Sequence, residues 1–169
     1  MDVLWNSSLK ELNLDNFNTN NVTSMRSMFF GCSSLEKLNL NNFNTNKVTT
    51  MIDMFRLCSS LKELNINNFN TDNVTDMSYM FSGCTTLKEL NINNFNIDNV
   101  TDMSNMLNGC SSLKELNLFN FDTNHEIEIY GMFYGCSDEL INEIKIKYKN
   151  ISSKAFKKLI DEEFYFSED

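Results

Sequence analysis

The chain has 169 residues, a formal net charge of −9 and a pI near 4.6, and it contains no proline and only five glycines. Its hydrophobic content of 41% is too high for a disordered segment, so we expect a folded core. The acidic balance argues against nucleic acid and anionic membranes as partners, because neutralising phosphates requires clustered Lys and Arg. No apolar stretch approaches the ~20 residues that span a bilayer, so we predict no membrane insertion by this chain.

The first seven residues precede the regular part of the sequence. They have neither the basic region nor the apolar region of a signal peptide, so we expect any export signal to lie outside this sequence. Val3 and Leu4 align with the end of a repeat like those that follow. We therefore interpret residues 1–7 as the remnant of a preceding repeat or as a minimal N-terminal cap.

A 26-residue repeat occupies residues 8–137. Columns of Leu, Asn, Phe and Cys keep this interval without an insertion, and the cysteine column consists of Cys32, Cys58, Cys84, Cys110 and Cys136. A constant interval is typical of a solenoid, because stacked coils must stay in register. We call each copy a coil and number the coils 1 to 5 from residue 8.

Each coil combines two periodicities. In coil 3, the alternation through Leu64, Asn65 and Ile66 predicts a strand whose apolar residues point inward. Val74, Met77, Met80, Phe81 and Cys84 then fall at intervals of three, three, one and three, which predicts a short helix or 3₁₀ segment. We therefore predict an α/β solenoid of five coils, each with one short parallel strand and one short helical segment. The Met and Phe columns are interpreted as core packing between coils.

The repeat ends after Cys136. Leu140, Ile141, Ile144 and Tyr148 fit one face of a helix, and the other positions of this segment are rich in charge. Terminal repeats of solenoids are commonly atypical, because one of their faces meets water. We predict that residues 138–169 form a helical C-terminal cap.

The segment from Asn68 to Cys84 carries a family resemblance. Its Val-Thr-x-Met-x-x-Met-Phe run and its Gly-Cys step resemble the 26-residue repeat of BspA-like leucine-rich-repeat surface proteins, of the DUF285 type. The resemblance implies a leucine-rich-repeat-like solenoid, a location at the cell surface or outside the cell, and adhesion to host extracellular proteins. The repeat has Phe where the usual leucine-rich repeat has Asn or Cys, so its curvature is not implied.

Catalytic and metal-binding groupings are weak in this sequence. The cysteines match no zinc spacing and are predicted to be buried free thiols, although stacking also places them within reach of disulfide formation. His125 has no predicted partner for nucleophilic catalysis. Stacked carboxylates, Asp72 with Asp98 and Asp76 with Asp102, leave calcium as an alternative to capping and solubility. We expect no enzyme activity and no cofactor.

The outward strand face is the candidate binding surface. Repeat proteins commonly bind partners there, although a solvated sheet face without a ligand would have the same composition. Its candidate residues form three columns along the coils: Glu11, Lys37, Glu63, Glu89 and Glu115; Asn13, Asn39, Asn65, Asn91 and Asn117; and Asp15, Asn41, Asn67, Asn93 and Phe119.

Two functions remain open from the sequence. The first is a protein-binding adhesion module of a surface or secreted protein, which the family resemblance implies. The alternative is an intracellular scaffold on the same solenoid, favoured by the unpaired cysteines. The sequence does not identify the ligand or the oligomeric state.

Overall fold

The computed structural model of this chain describes residues 8–117 and 126–158. Four strands, each of three residues, recur at the repeat interval: β1 (Lys37–Asn39), β2 (Glu63–Asn65), β3 (Glu89–Asn91) and β4 (Glu115–Asn117). They pair in parallel as β1 with β2 and β3 with β4, in two separate sheets. The expectation for residues 1–7 lies outside the described residues.

The register of the strands follows the repeat. Lys37 lies opposite Glu63 in the first sheet, and Glu89 lies opposite Glu115 in the second. A parallel bridge between Glu11 and Lys37 joins coil 1 to β1. The predicted strand positions and their parallel stacking are therefore observed.

A second column of bridges runs along the other side of the coils. It consists of isolated parallel bridges between successive coils at Ser24, Thr50, Asp76, Asp102 and Glu128. Except between coils 3 and 4, where β2 and β3 are not paired, the two columns hold neighbouring coils at two places, so these coils cannot shift their register at one column without breaking the other.

The prediction of a helical segment in each coil is wrong. Within the described residues, the Val-Thr-x-Met-x-x-Met-Phe segments form turns, and the helices lie after the last coil. In coil 2 the N–H groups of Met51, Asp53, Phe55 and Leu57 donate to carbonyls of coil 3 at 2.8–3.1 Å, instead of closing an α-helical ladder within the segment. The apolar spacing of the segment arises from this turn geometry.

Two left-handed residues in each coil produce this geometry. In coil 2 they are Asp53 and Leu57, with φ of 57° and 62°. A left-handed residue turns its peptide unit away from the path of a right-handed helix. Asn73 in coil 3 donates its side-chain amide to the carbonyl of Asn46 in the coil before. The segment therefore satisfies its backbone groups by stacking on its neighbours.

The core lies between the two columns of bridges and runs the length of the array. Phe29, Phe55 and Phe81 stack with ring centroids 5.5–5.6 Å apart and planes within 9° of parallel. The methionine, cysteine and leucine columns fill the space around them, and most of these side chains are fully buried. The core assignment of the Met and Phe columns is confirmed for most of their members, whereas Phe17 is 55% exposed and Met28 is half-buried.

Two helices follow the last coil: α1 (Asp138–Lys147) and a 3₁₀ helix (Ser153–Phe156). The side chain of Ser137 caps α1 by accepting a hydrogen bond from the N–H of Leu140. The 3₁₀ helix continues the stacking of the coils, because the N–H groups of Gly131 and Phe133 donate to carbonyls of its residues Lys154 and Ala155. Within the described residues, no helix is both long enough and apolar enough to cross a membrane.

Candidate functional site

The strand face is a regular exposed surface along the coils. In residues 8–116, the side chains of the three candidate columns are exposed, except that of Asn65, which is half-buried. Asn117 lies in β4. Phe119 lies outside the described residues. Strand alternation produces this face, because Leu38 and Leu90 point into the core while the residues on either side of them point out.

A groove of about 860 Å³ runs along this face. It brings together candidate residues from coils 1 to 4 and adds residues that the sequence analysis did not select. Its lining residues are Glu11, Leu12, Lys37, Leu38, Asn39, Lys62, Glu63, Leu64, Asn65, Asn67, Thr86, Lys88, Glu89 and Asn91. The face therefore offers charged and amide groups above a floor that includes leucine side chains.

Opposite charges pair along the first three coils. Lys10 and Lys62 both contact Glu36, with N–O distances of 3.1 and 2.7 Å. Their hydrogen bonds, led by that from Lys62, lower the pKa of the Glu36 carboxyl. Lys37 contacts Glu63 at 2.8 Å, and the hydrogen bond between these two side chains raises the pKa of Lys37. These pairs are exposed, so they set register and local charge more than stability.

The charges of the later coils are arranged differently. Glu89 lies directly opposite Glu115 in the parallel ladder, and the preceding residues, Lys88 and Lys114, are joined by a backbone hydrogen bond of 2.9 Å. In the described part of the chain, no salt bridge involves these four side chains. The later half of the face therefore stacks like charges along each column.

The asparagine column has a structural role as well as an exposed position. Asn13, Asn39 and Asn91 each accept, through Oδ1, a hydrogen bond from the backbone N–H two residues on, at 2.9–3.3 Å. Such Asx turns end the strand and start the next turn. A ligand on this face would meet amides whose oxygens already have a backbone partner.

The sequence analysis missed a column of buried threonines. The Thr71 hydroxyl donates to the carbonyl of Asn96 at 2.9 Å and accepts from the N–H of the same residue at 2.8 Å. Thr45 holds Asn70 in the same way, at 2.8 and 2.7 Å. The repeat interval of these threonines was the available signal, but the interval alone does not separate a buried hydroxyl from an exposed one.

Burial limits the chemistry of the cysteines. All five are buried and none forms a disulfide, as predicted. Burial raises the pKa of Cys84 and of Cys136 to about 12, and the Cys84 thiol donates to the carbonyl of Phe55 at 3.2 Å. A thiol is nucleophilic only as the thiolate, so these groups are unreactive near neutral pH.

The stacked carboxylates form no metal centre in the described residues, where no group of three or more His, Cys, Asp or Glu side chains is placed to hold an ion. Asp72 instead accepts side-chain hydrogen bonds from Asn96 and Asn70, at 3.0 and 2.9 Å. These bonds, that from Asn96 first, lower the pKa of Asp72. His125 lies outside the described residues.

The repeat and its face can be compared with known proteins. The family model described as "Mycoplasma protein of unknown function, DUF285" matches residues 2–90 and 58–166 of this chain. The chain belongs to this family. The match confirms the resemblance to BspA-like leucine-rich-repeat proteins of the DUF285 type that the sequence analysis describes.

This DUF285 protein resembles the crystal structure of the T. pallidum leucine-rich repeat protein TpLRR, with 14% sequence identity over 79% of each chain and a TM-score of 0.37. A search of the curated proteins found no match.

Proposed function

We propose that this chain is a non-enzymatic protein-binding module that engages its partner through the strand face. The observation that carries the proposal is the groove on that face, which runs across four coils and presents charged and amide side chains. Repeat proteins use such extended surfaces for protein binding. The raised pKa of the buried Cys84 and Cys136 thiols supports a binding role over a catalytic one.

We propose further that the module belongs to a surface or secreted protein and adheres to host extracellular proteins. This rests on the family, whose BspA-like members are associated with surface proteins. In this proposal, residues 8–137 form the binding solenoid, and residues 138–169 shield its last coil from solvent. Exposed acidic residues on both parts suit a module that functions in aqueous surroundings.

Binding through the strand face is tested with paired variants. The double substitution Glu63→Lys and Glu89→Lys should weaken binding to a panel of immobilised, purified host matrix proteins at least tenfold. The matched control carries the same charge change at Asp98 and Glu139, which are exposed and lie outside the groove. Equal binding by both variants and the parent chain would remove the strand face from the proposal.

An intracellular scaffold is the second candidate. The five buried cysteines favour it, because none of them forms a disulfide and cysteines outside disulfides are typical of reducing compartments. Protease treatment of intact, unpermeabilised source cells separates the two locations. Release of repeat peptides from intact cells supports the surface module. Protection of the chain until the cells are lysed would support the scaffold and direct the search to cytosolic partners.

A further inference from the structure

Two adjacent rows of opposite charge run along the later part of the strand face. The lysine row is Lys62, Lys88 and Lys114, and the glutamate row is Glu63, Glu89 and Glu115. Each lysine immediately precedes a glutamate, and in coils 3 and 4 both members of the pair line the groove, so the two rows lie side by side there. In the second sheet, β3 and β4 repeat this pair at the spacing of parallel strands, ~4.8 Å, whereas β2 is not paired with β3.

The rows are incompletely neutralised within the chain. Lys62 and Glu63, at the start of the rows, pair with Glu36 and Lys37 of coil 2. The other four side chains are exposed and take part in no salt bridge in residues 8–117 and 126–158. Like charges placed directly opposite each other, as Glu89 and Glu115 are, destabilise a ladder. A partner that brings the opposite charge to each row would relieve this repulsion.

We propose that the partner of this part of the face is a second copy of the same chain. The two copies lie face to face, related by a two-fold axis that is parallel to the solenoid axis and passes between the rows. Rotation about that axis brings the lysine row of each copy over the glutamate row of the other copy. A two-fold axis along the strands would instead place lysine over lysine, so the charges select the parallel dimer.

The groove accommodates such a contact. Lys88 and Glu89 border it, and Leu64, only half-buried, forms part of its floor between the two sheets. The long lysine side chains of the second copy would reach into this space, with their alkyl stems over the leucine and their ammonium groups beside Glu63 and Glu89. The contact therefore combines ion pairing with some apolar burial.

The dimer is expected to be weak. Five coils at ~4.8 Å spacing and a face ~15–20 Å wide, about five residues along the chain direction, give an area of roughly 400 Å², about half of what one partner buries in a standard interface. The net charge of −9 on each copy adds a general repulsion. Because the inference rests on the proposed use of the strand face for binding, its test must also separate self-association from binding of a foreign protein.

The test is sedimentation equilibrium of the purified chain at concentrations up to about 1 mM, the range in which a contact this small should associate. The lysine-row variant carries Lys88→Glu and Lys114→Glu, and the glutamate-row variant carries Glu89→Lys and Glu115→Lys. Each variant alone should associate at least tenfold more weakly than the parent. An equimolar mixture of the two should associate at least as well as the parent, because every row then faces its opposite.

The glutamate-row variant also separates row pairing from overall charge. It is less acidic than the parent by four charges, so general repulsion alone would make it associate more strongly. Stronger self-association of this variant would overturn the proposal, as would a parent chain that stays monomeric or row variants that associate like the parent. All four sites are exposed, and circular dichroism checks that the variants fold.

The outcome for self-association is independent of the proposed function. A monomeric parent that still binds a matrix protein through the strand face would refute the second copy as the partner and leave the protein-binding function standing. A dimer that depends on the rows, in a chain that binds no foreign protein, would support this inference and count against the adhesion proposal.

Discussion

Single residues in left-handed conformations determine how each coil turns. One left-handed position recurs as Gly31, Leu57, Gly83, Gly109 and Gly135, with φ between 62° and 76°. Glycine takes this conformation without steric cost, whereas a branched side chain does not. Leu57 is the exception, and nearly half of its side chain is exposed (46%). Burial of this side chain therefore offsets little of the backbone strain.

Leu57→Gly should therefore stabilise the chain. Removing the strain of a left-handed leucine raises the free energy of unfolding by ~1–2 kcal/mol. The extra flexibility of glycine in the unfolded chain lowers it by ~0.5–1 kcal/mol, so the net increase is about 1 kcal/mol. Urea unfolding measures the change. Gly83→Ala should have the opposite effect and destabilise the chain. Residue 83 has a φ of +76°, and the added Cβ would lie 2.8 Å from Cδ2 of Leu57. A loss of stability in Leu57→Gly would contradict the assignment of strain.

The thiol of Cys84 provides a second test at the residue scale. Its pKa is raised by burial from 9.0 to about 12, so the folded chain favours the neutral thiol. A raised pKa contributes stability that is fully present below the pKa of the unfolded thiol and is lost as the pH rises from about 9 toward 12. The unfolding free energy should therefore fall across this range, and less steeply in Cys84→Ala.

Alkylation checks the same property directly. At pH 8, iodoacetamide should modify Cys84 in the native chain far more slowly than in urea, because the thiol is both protonated and buried. Equal rates in the native and unfolded chains would show that the cysteine column is open to solvent.

At the scale of the element, hydrogen bonds between coils replace those within a helix. Alternate N–H groups of the turn segment donate hydrogen bonds to carbonyls of the next coil. The buried threonine column adds two hydrogen bonds at each junction between coils that it spans. The column is interrupted in coil 4, where Ile97 takes the threonine position and is buried. The junctions between coils are therefore unequal in hydrogen bonding, although the repeat is regular.

Thr71→Val tests the contribution of the threonine column. The substitution keeps the shape of the side chain but leaves the N–H and C=O of Asn96 without their hydroxyl partner, which should cost about 1–3 kcal/mol. The matched control is Thr75→Val, whose exposed hydroxyl donates one longer bond, 3.3 Å, to the carbonyl of Thr49. The control should change stability by less than about 0.5 kcal/mol in urea unfolding. Similar values for both variants would place the column outside the stabilising contacts.

At the scale of the whole molecule, stability comes from stacking, and the last coil needs a cover. Phe133 is fully buried, because the ring of Phe156 stacks on it with a centroid distance of 5.7 Å and Lys145 lies over the Phe156 ring. In a solenoid each coil contacts only its neighbours, so loss of the cover acts first on the coil beneath it.

Phe156→Ala should therefore open coil 5 before the others. We expect a cost of about 2 kcal/mol, below the range for fully buried phenylalanine because Phe156 is partly buried. Hydrogen exchange should show faster exchange at the N–H of Phe133, which donates to the carbonyl of Ala155, than at the N–H of Phe55 in coil 2. Ile146→Ala is the control, since this side chain is 75% exposed. Uniform loss of protection along all coils would indicate a single cooperative unit.

The sequence by itself determined the period, the parallel register, the inward columns and the change of structure after Cys136. These follow from the chain alone, because a constant 26-residue interval brings like residues together wherever the coils stack. The sequence also indicated the strand face as the candidate surface, and the choice of binding residues on it is a prediction that the binding experiment tests.

Only the tertiary structure decided the path of the Val-Thr-x-Met segments, the pairing of charges and the shape of the groove. The apolar spacing of Met77, Met80 and Phe81 fits a helix as well as a turn, and the left-handed residues are held by hydrogen bonds to a neighbouring coil that no local pattern contains. Lys62, Lys88 and Leu64 were missed as groove residues for the same reason. Their positions depend on how closely adjacent coils approach, which is set by packing between coils and not by the sequence of any one coil.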